Sequence, residues 1–344
     1  MAKHTLQQTQ QDLLGQYFTK NVDIVLQSYE HLVKNKIVID PFVGAGHLLE
    51  WAVKHGAIST LGYDIEPVNQ WCNQKMDTLM NPVDCTNMIV VTNPPYLSKN
   101  RNKSGDRRPY DKYDQNDFYK CYLASLNESN VEEALIIIPT NFLCESSDKA
   151  RKALFANYYI VSGTHFDSPV FEGVKISTCI IHVKKGKKSQ QSFPFKNYDT
   201  QKVFNVVLKA KYKYIFGENF FKHIKGNEYK IIKTDKGMDA PNTNIIISLL
   251  DKGKYGLGLT YNHSEPIYSN PKSITTYQLT IPNVNLTIDQ QQTIVREFNI
   301  IMSRFRIQYN NMFLGYFIEG EQKILSRKYA HALVSRLIDL VTQE

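Results

Sequence analysis

The sequence predicts a doubly wound α/β fold with a mostly parallel sheet, followed by a basic α+β domain. Three observations carry this prediction. Short apolar segments alternate with segments whose apolar residues recur at helical spacing, as in a parallel sheet covered by helices. A glycine-containing turn follows the first apolar segment, and an acidic residue ends the second. The alternation stops at a Lys-rich and Gln-rich segment, 184–192, where we expect the domain boundary.

Each predicted strand is a run of apolar, often β-branched residues bounded by turn residues. The predicted strands are 37–39, 60–64, 88–92, 134–139, 163–166 and 176–183. The helices are recognised by caps and by apolar residues at helical spacing. They are expected near Thr19 or Asn21, at 117–126, at 147–158, after a capping box at Thr287–Gln290, and from about Ser326.

The turn after the first strand has the composition of a ligand-binding loop. Gly44 and Gly46 allow the backbone to approach a ligand without a Cβ clash, and the following helix supplies free NH groups. Such a turn suits a nicotinamide cofactor and S-adenosylmethionine equally. Asp64 ends the second strand 20 positions after Gly44, the spacing of a carboxylate that accepts both hydroxyls of a ribose. Ile65 would then lie against an adenine ring. Alternatively, Asp64 caps a helix.

The segment Asn93-Pro94-Pro95-Tyr96 directly follows the strand 88–92. Neither proline can continue a sheet or a helix, so the strand ends at Asn93 and the next peptides are held extended. An amide oxygen, a proline carbonyl and an aromatic ring therefore meet at the carboxyl end of a buried strand, where open α/β sheets bind ligands. The two acceptors suit the hydrogens of a planar NH2 group, and the ring suits stacking on the flat ring that bears it.

Charge is unevenly distributed along the 344 residues, whose formal net charge is +8. Residues 186–344 contain 22 Lys and Arg against 13 Asp and Glu, so the whole positive excess lies in the second half. This favours a polyanionic partner, nucleic acid before membrane, although a solvated basic surface has the same composition. The polar, basic segment 98–109 is expected to contact a phosphate backbone, or else to be a solvated loop.

The remaining composition indicates a cytoplasmic protein. The five cysteines are scattered without paired spacing, as in a reducing compartment, and none has the spacing of a metal site. The amino terminus has no apolar signal segment, and no run of about 18 apolar residues occurs. Secretion and membrane spanning are therefore not expected.

Five motifs, taken together, resemble the amino-methyltransferases of restriction-modification systems, and their order resembles the gamma class of N6-adenine DNA methyltransferases. The motifs are Gly15-Gln16-Tyr17-Phe18-Thr19, Asp40-Pro41-Phe42-x-Gly44-x-Gly46, Asp64-Ile65-Glu66-Pro67, Asp77-Thr78-Leu79 and Asn93-Pro94-Pro95-Tyr96. The resemblance is strong over residues 13–185 and weak beyond them. It implies a Rossmann-like, S-adenosylmethionine-dependent methyltransferase domain at 1–185 and a DNA target-recognition domain at 186–344.

The resemblance also implies roles for individual residues. In this family the first two motifs hold S-adenosylmethionine, and the matching residues here are Tyr17, Thr19, Asp40, Phe42, Gly44 and Gly46. By the same resemblance Asp64 takes the ribose, and Asp77 rather than Asp84 takes the adenine amino group. A Val-Phe turn supplies a second aromatic wall for the target base, and Val170-Phe171 matches it. Lys20 departs from the family pattern, which often has Pro at this position.

The implied mechanism requires neither a metal nor a covalent enzyme intermediate. Asn93 Oδ1 and the Pro94 carbonyl accept the hydrogens of an adenine amino group, so that its lone pair can point at the sulfonium methyl. Tyr96 and Phe171 hold the adenine after it has left the duplex. Cytosine C5 methylation would require a Pro-Cys motif, which the sequence lacks. N4-cytosine methylation more often uses Ser or Asp in place of Asn93.

We therefore expect an adenine N6-methyltransferase that acts as a monomer on double-stranded DNA and protects it from a cognate restriction endonuclease. Methylation of adenine in RNA, or of a glutamine amide in protein, is the alternative enzymatic interpretation, because some of those enzymes share the Asn-Pro-Pro-Tyr corner. The long segment after the motifs argues against the glutamine interpretation. A nucleic-acid-binding protein with an idle methyltransferase fold is the non-catalytic alternative.

Overall fold

The computed structural model describes residues 21–66, 69–103, 105–167, 177–234, 240–251, 254–267, 275–312, 314–317 and 322–343. The chain forms two compact units. The first contains the described residues up to Phe142 together with Ser147–Tyr214, and the second contains Leu143–Ser146 and the described residues from Ile215 onwards. Among the described helices, none combines the length and the apolar character needed to cross a membrane.

Within the described residues of the first unit, nine strands form one sheet. They are β1 (Ile37–Asp40), β2 (Ser59–Asp64), β3 (Gln74–Lys75), β4 (Met88–Thr92), β5 (Glu133–Pro139), β6 (Tyr158–Phe166), β7 (Thr178–Lys185), β8 (Gln191–Asn197) and β9 (Val203–Leu208). Their spatial order is β3-β2-β1-β4-β5-β7-β6-β8-β9. The strands from β3 to β5 run parallel, whereas β7 is antiparallel to both β5 and β6. The predicted doubly wound, mostly parallel sheet with late antiparallel strands is confirmed.

The central strands are buried because their residues are almost all apolar. From Ala134 to Ile138, no residue of β5 is more than 1% exposed, as expected of a strand with both faces covered. The described helices of this unit are Val22–Val25, Glu30–Val33, His47–Lys54, Arg108–Lys112, Phe118–Ser125 and Asp148–Phe155. Short 3₁₀ turns lie at Thr140–Leu143, Glu145–Ser147 and Ala210–Tyr212.

The first unit extends further than composition predicted. The basic segment 184–192 ends β7 and leads directly into β8, which pairs parallel with β6 and antiparallel with β9. The unit therefore continues to Tyr214, beyond the boundary predicted between residues 185 and 186. Lys, Gly, Ser and Gln residues suit an exposed turn between strands as well as a linker between domains, so composition alone did not separate the two.

The second unit is α+β. Four antiparallel strands form a sheet in the order β10 (Ile232–Lys233), β13 (Thr276–Thr280), β11 (Ile245–Ser248) and β12 (Gly258–Tyr261), and β14 (Gly315–Phe317) pairs with β15 (Gln322–Ile324). The described helices are Glu218–His223, Ile288–Gln308 and Arg327–Thr342, and the last two pack on each other. The predicted capping box is confirmed, because the Gln290 N–H donates to Thr287 Oγ1 at 3.3 Å and the Thr287 N–H donates to Gln290 Oε1 at 3.0 Å.

Candidate active site

A pocket lies at the carboxyl ends of β1, β2 and β4 in the first unit. Because β1 pairs with both β2 and β4, the strand order reverses here, and open α/β sheets bind ligands at such a point. The lining residues come from the turn after β1, the end of β2, and the segments 76–79, 93–97 and 102–118. They include seven residues that the sequence singled out: Asp40, Phe42, Gly44, Asp64, Ile65, Asp77 and Asn93.

Six other predicted residues are not among the described residues of this lining. Gly46, Pro94 and Tyr96 neighbour lining residues in the chain but do not line the pocket themselves. Tyr17, Thr19 and Phe171 lie outside the described residues, so their roles stay predictions.

The turn after β1 depends on two glycines in the left-handed region. Gly44 has a φ of 50° and Gly46 a φ of 86°, which side chains with a Cβ rarely adopt. The Gly44 N–H donates to Asp64 Oδ2 at 2.9 Å, and the Val43 N–H donates to the Tyr63 carbonyl at 2.9 Å. These two hydrogen bonds join the turn to the end of β2.

Asp40, the last residue of β1, is fully buried. Its Oδ1 accepts hydrogen bonds from the Phe42 N–H at 3.0 Å and from the Thr92 hydroxyl at 2.6 Å. Its Oδ2 is buried and has no hydrogen-bond partner among the described residues. Burial raises the pKa of Asp40 to about 7. A buried carboxylate oxygen in a pocket lining suits a ligand that donates a hydrogen bond or carries positive charge.

Asp64 and Asp77 present further acceptors to the same pocket. Asp64 is 5% exposed, and its Oδ1 accepts from the Glu66 N–H at 2.9 Å while Oδ2 accepts from Gly44. Burial raises the pKa of Asp64, although these backbone hydrogen bonds oppose the increase. Asp77 Oδ1 accepts from two backbone N–H groups, those of Leu79 at 3.1 Å and Met80 at 3.2 Å. Each carboxylate is thus oriented by the backbone and keeps acceptor capacity for a ligand.

The pocket is acidic. Its described lining contains four aspartates and no Lys or Arg, although the fourth aspartate, Asp106, is paired with Arg108 at 2.6 Å. His47, at the start of the helix after the glycine turn, also lines it, and its Nδ1 is buried without a partner among the described residues. Such a lining favours a ligand with positive charge and several hydrogen-bond donors over one that carries phosphates.

The Asn-Pro-Pro-Tyr corner follows β4, and its two ends are placed differently. Asn93 lines the pocket, whereas Tyr96 is only 5% exposed and lies edge to face against Tyr119, with ring centroids 6.0 Å apart. The Tyr96 hydroxyl hydrogen-bonds to the Ile137 carbonyl at 2.9 Å and to Asn93 Oδ1. Tyr96 therefore contacts Asn93 and β5 directly.

One wall of the pocket was not predicted. Asn102, Gly105, Asp106, Pro109 and Phe118 line it, although the segment 98–109 was predicted to contact a phosphate backbone or to be a solvated loop. Asn102 is 4% exposed because its amide closes a local turn, accepting from the Gly105 N–H and donating to the Asp106 carbonyl, both at 2.9 Å. Pro109-Tyr110 is the part of this stretch whose composition favours burial. The Tyr110 ring stacks on the Phe118 ring, with the ring centroids 4.7 Å apart. The exposed side chains Arg101 and Lys103 keep the predicted basic character of the segment.

Gly46 and Gly56 allow a matched test of the glycine turn. Their φ values are 86° and 90°, but a Cβ on Gly46 would overlap the Trp71 ring, whereas a Cβ on Gly56 would meet only Lys34 Cγ at 3.6 Å. We expect Gly56→Ala to lower the free energy of unfolding by about 1–2 kcal/mol and Gly46→Ala by about 2–4 kcal/mol. Urea unfolding of both variants measures the difference. Equal losses would show that Trp71 does not confine the turn.

Residues 2–171 match the family described as Eco57I restriction-modification methylase. No protein of curated function matches the sequence significantly.

Three solved structures show distant similarity. The methyltransferase subunit of a type I restriction-modification system from Streptococcus thermophilus is 15% identical, with a TM-score of 0.38 over 58% of this chain and 57% of that one. The type IIG restriction endonuclease BpuSI is 13% identical, with a TM-score of 0.40 over 64% of this chain and 36% of that one. The M protein of the type I restriction enzyme EcoKI is 14% identical, with a TM-score of 0.35 over 52% of this chain and 49% of that one. The chain thus spans between about a third and three fifths of the length of these structures.

Proposed function

We propose that the chain, whose residues 2–171 match the family of Eco57I restriction-modification methylases, transfers a methyl group from S-adenosylmethionine to the N6 amino group of adenine in double-stranded DNA. The observation that carries this proposal is the place of Asn93. Its side chain lines an acidic pocket at the reversal point of the sheet, one residue after Thr92, which hydrogen-bonds to Asp40. An amide acceptor is thereby held beside a site suited to a cationic cofactor.

The charge of the pocket supports S-adenosylmethionine as the cofactor. Of the two cofactors that the glycine turn left open, a nicotinamide dinucleotide carries phosphates, which the carboxylates of Asp64 and Asp77 would repel. S-adenosylmethionine instead has a net positive charge, from a sulfonium and an ammonium group against one carboxylate, with hydrogen-bond donors on its ribose and adenine. A lining of carboxylates without Lys or Arg among the described residues complements that molecule.

Individual residues would hold the cofactor as follows. Asp64 accepts from the ribose hydroxyls, Ile65 packs on the adenine ring, and Asp77 accepts from the adenine amino group. The unpartnered Oδ2 of Asp40 is available to the ammonium group, and Phe42 and Gly44 complete the wall. When bound, the cofactor supplies an electrophilic methyl group. The residues of this chain bind it, exclude water from it and orient the acceptor.

Asn93 and Pro94 would activate the acceptor nitrogen. The amino group of adenine is a poor nucleophile because its lone pair is delocalised into the ring. When Asn93 Oδ1 and the Pro94 carbonyl each accept one hydrogen, the nitrogen is drawn towards a tetrahedral geometry and its lone pair becomes available. The rigid Pro94-Pro95 backbone keeps the two acceptors in place without reorganisation.

The substrate is proposed to be duplex DNA from which the target adenine is flipped out. Tyr96 and Phe171 would hold the base. The exposed Arg101 and Lys103, together with the basic second half of the chain, would contact the phosphates and the target site. We further propose that the enzyme acts as a monomer in the cytoplasm and protects DNA from a separate cognate restriction endonuclease.

Tritiated methyl transfer tests this function. The protein is incubated with labelled S-adenosylmethionine and, separately, duplex DNA, RNA and protein, and the labelled product is hydrolysed and identified. We expect N6-methyladenine from duplex DNA. Label in RNA adenine or in a glutamine amide would establish one of the alternative substrates, and cofactor binding without any transfer would support the non-catalytic alternative.

Replacing Asn93 separates catalysis from cofactor binding. We expect Asn93→Ala to reduce methyl transfer at least about 100-fold, because one of the two acceptors of the amino hydrogens is lost. Cofactor affinity, measured by calorimetry, should persist. Asn127→Ala, at an exposed position of the same unit, is the control. Turnover near that of the wild type would remove Asn93 from the mechanism.

Replacing Asp64 tests the ribose contact. Asp64→Asn keeps the shape of the side chain but removes its charge and one acceptor, so we expect the cofactor dissociation constant to rise about 10-fold to 100-fold. Asp84→Asn, which alters an exposed carboxylate bonded to Thr86, should leave it unchanged. Equal calorimetric affinities for the two variants would contradict the assignment.

The raised pKa of Asp40 predicts that the affinity for the cofactor depends on pH. Its pKa of about 7 means that the carboxyl group is partly protonated near neutrality. Burial is the main cause of the raised pKa, and the nearby negative charge of Asp64 raises it further. An ammonium group beside Asp40 favours the ionised form and lowers its pKa, so binding below pH 7 must release a proton. Affinity should therefore fall, by up to about tenfold per pH unit, as pH decreases from 7 to 6.

Calorimetry in two buffers of different ionisation enthalpy measures the proton released on binding. Asp40→Asn should bind more weakly and lose this pH dependence. An affinity that stays constant between pH 6 and pH 8 in the wild type would show that Asp40 does not meet the ammonium group.

A further inference from the structure

The segment that follows β2 contacts the glycine turn at both of its glycines. Asn69 Nδ2 donates a hydrogen bond to the Gly44 carbonyl at 2.5 Å. Two residues further on, the Trp71 ring lies against Gly46, where a Cβ would come within 2.2 Å of Trp71 Cδ1. The segment Asn69–Trp71, called the clip below, therefore holds the turn at two points.

The orientation of the Asn69 amide follows from its two backbone partners. A backbone N–H can only donate a hydrogen bond, and a backbone carbonyl can only accept one. Asn69 Oδ1 accepts from the Trp71 N–H at 2.8 Å, so the amide atom that faces the Gly44 carbonyl is the nitrogen. An asparagine that stabilises only its own loop needs the first of these contacts alone. The second contact reaches 25 positions back along the chain, into the glycine turn.

Gly44 is held through both of its backbone groups. Its N–H donates to Asp64 Oδ2 at 2.9 Å, and its carbonyl accepts from Asn69. Because glycine has more backbone freedom than any other residue, a glycine with a φ of 50° keeps one conformation only where its surroundings impose it. Gly44 and Ala45 line the pocket, whereas Asn69 and Trp71 are not among the described lining residues. The clip therefore acts on the pocket through the turn.

We propose that Asn69 is a positioning residue for the methyl donor, whose amide holds the Gly44 peptide in the orientation that receives S-adenosylmethionine. The inference rests on the proposed function, in which Gly44 forms part of the cofactor wall. Because the turn is ordered before the cofactor arrives, binding does not have to order it. Losing this hydrogen bond therefore weakens cofactor binding and leaves the transfer step unchanged.

Asn73 provides a control with the same change of charge. Its Oδ1 accepts from the Gly62 N–H of β2 at 2.7 Å. An aspartate at either position keeps a side-chain oxygen, so Asn73→Asp preserves the contact with Gly62 and Asn69→Asp preserves the contact with Trp71. Only Asn69→Asp also places a second oxygen against the Gly44 carbonyl. The two variants thus add one negative charge to the same segment and differ in the hydrogen bond to the turn.

The test compares Asn69→Asp with Asn73→Asp by calorimetric titration with S-adenosylmethionine and by single-turnover methyl transfer to duplex DNA at saturating cofactor. We expect the cofactor dissociation constant of Asn69→Asp to be about tenfold higher, with equal transfer rates. Asn69→Ala, which removes the hydrogen bond without adding charge, should also bind the cofactor more weakly than the wild type. Equal dissociation constants for the two aspartate variants, an unaffected Asn69→Ala, or a loss confined to the transfer rate would overturn the inference.

Amide hydrogen exchange in the unliganded protein tests the same inference without the cofactor. We expect the Gly44 N–H to exchange about tenfold faster in Asn69→Asp than in Asn73→Asp, because the Gly44 carbonyl is no longer held. Equal exchange rates would refute the inference even in an active enzyme. Conversely, a wild-type protein that binds no S-adenosylmethionine would refute the proposed function, and the exchange rates would still decide whether Asn69 holds the turn.

Discussion

The hydrogen bond between Thr92 and Asp40 is the constraint on which the site depends. The Thr92 hydroxyl, at the end of β4, donates to Asp40 Oδ1, at the end of β1, over 2.6 Å. The Asp40 carboxylate is fully buried and also accepts a hydrogen bond from the Phe42 N–H. The glycine turn begins directly after Asp40, and the Asn-Pro-Pro-Tyr corner begins directly after Thr92. One buried side chain therefore sets the distance between the element proposed to hold the methyl donor and the element proposed to hold its acceptor. Burial of this carboxylate raises its pKa to about 7.

Much of this arrangement could be predicted from the sequence because it depends on local rules. Strands such as β4 and β5 are continuous apolar runs, and prolines or glycines end them. The carboxyl ends of adjacent parallel strands meet at one edge, so Asp40, Asp64 and Asn93 had to approach one another once those strands were recognised. Which ligand they would receive was not fixed by the Gly-x-Gly spacing. The summed charge of the pocket, which is a property of the folded chain, favours a cationic one.

Features that depend on contacts distant in sequence were not predictable in the same way. The burial of Tyr96 follows from β5 and Tyr119, and the wall from Asn102 to Phe118 follows from the stacking of Tyr110 on Phe118. In both places polar atoms are buried because a specific partner satisfies them, which composition does not reveal. The strands β8 and β9 were missed for a related reason, since an exposed basic turn resembles a linker until the pairing with β6 is known.

The most direct measurement of the central claim is a crystal structure of the protein with sinefungin, an S-adenosylmethionine analogue that carries an amine at the position of the transferred methyl. The account predicts that its ribose lies on Asp64, its adenine amino group on Asp77, and its amine next to Asn93, with space there for a purine. An analogue bound elsewhere, or one whose amine is separated from Asn93 by protein, would contradict the account.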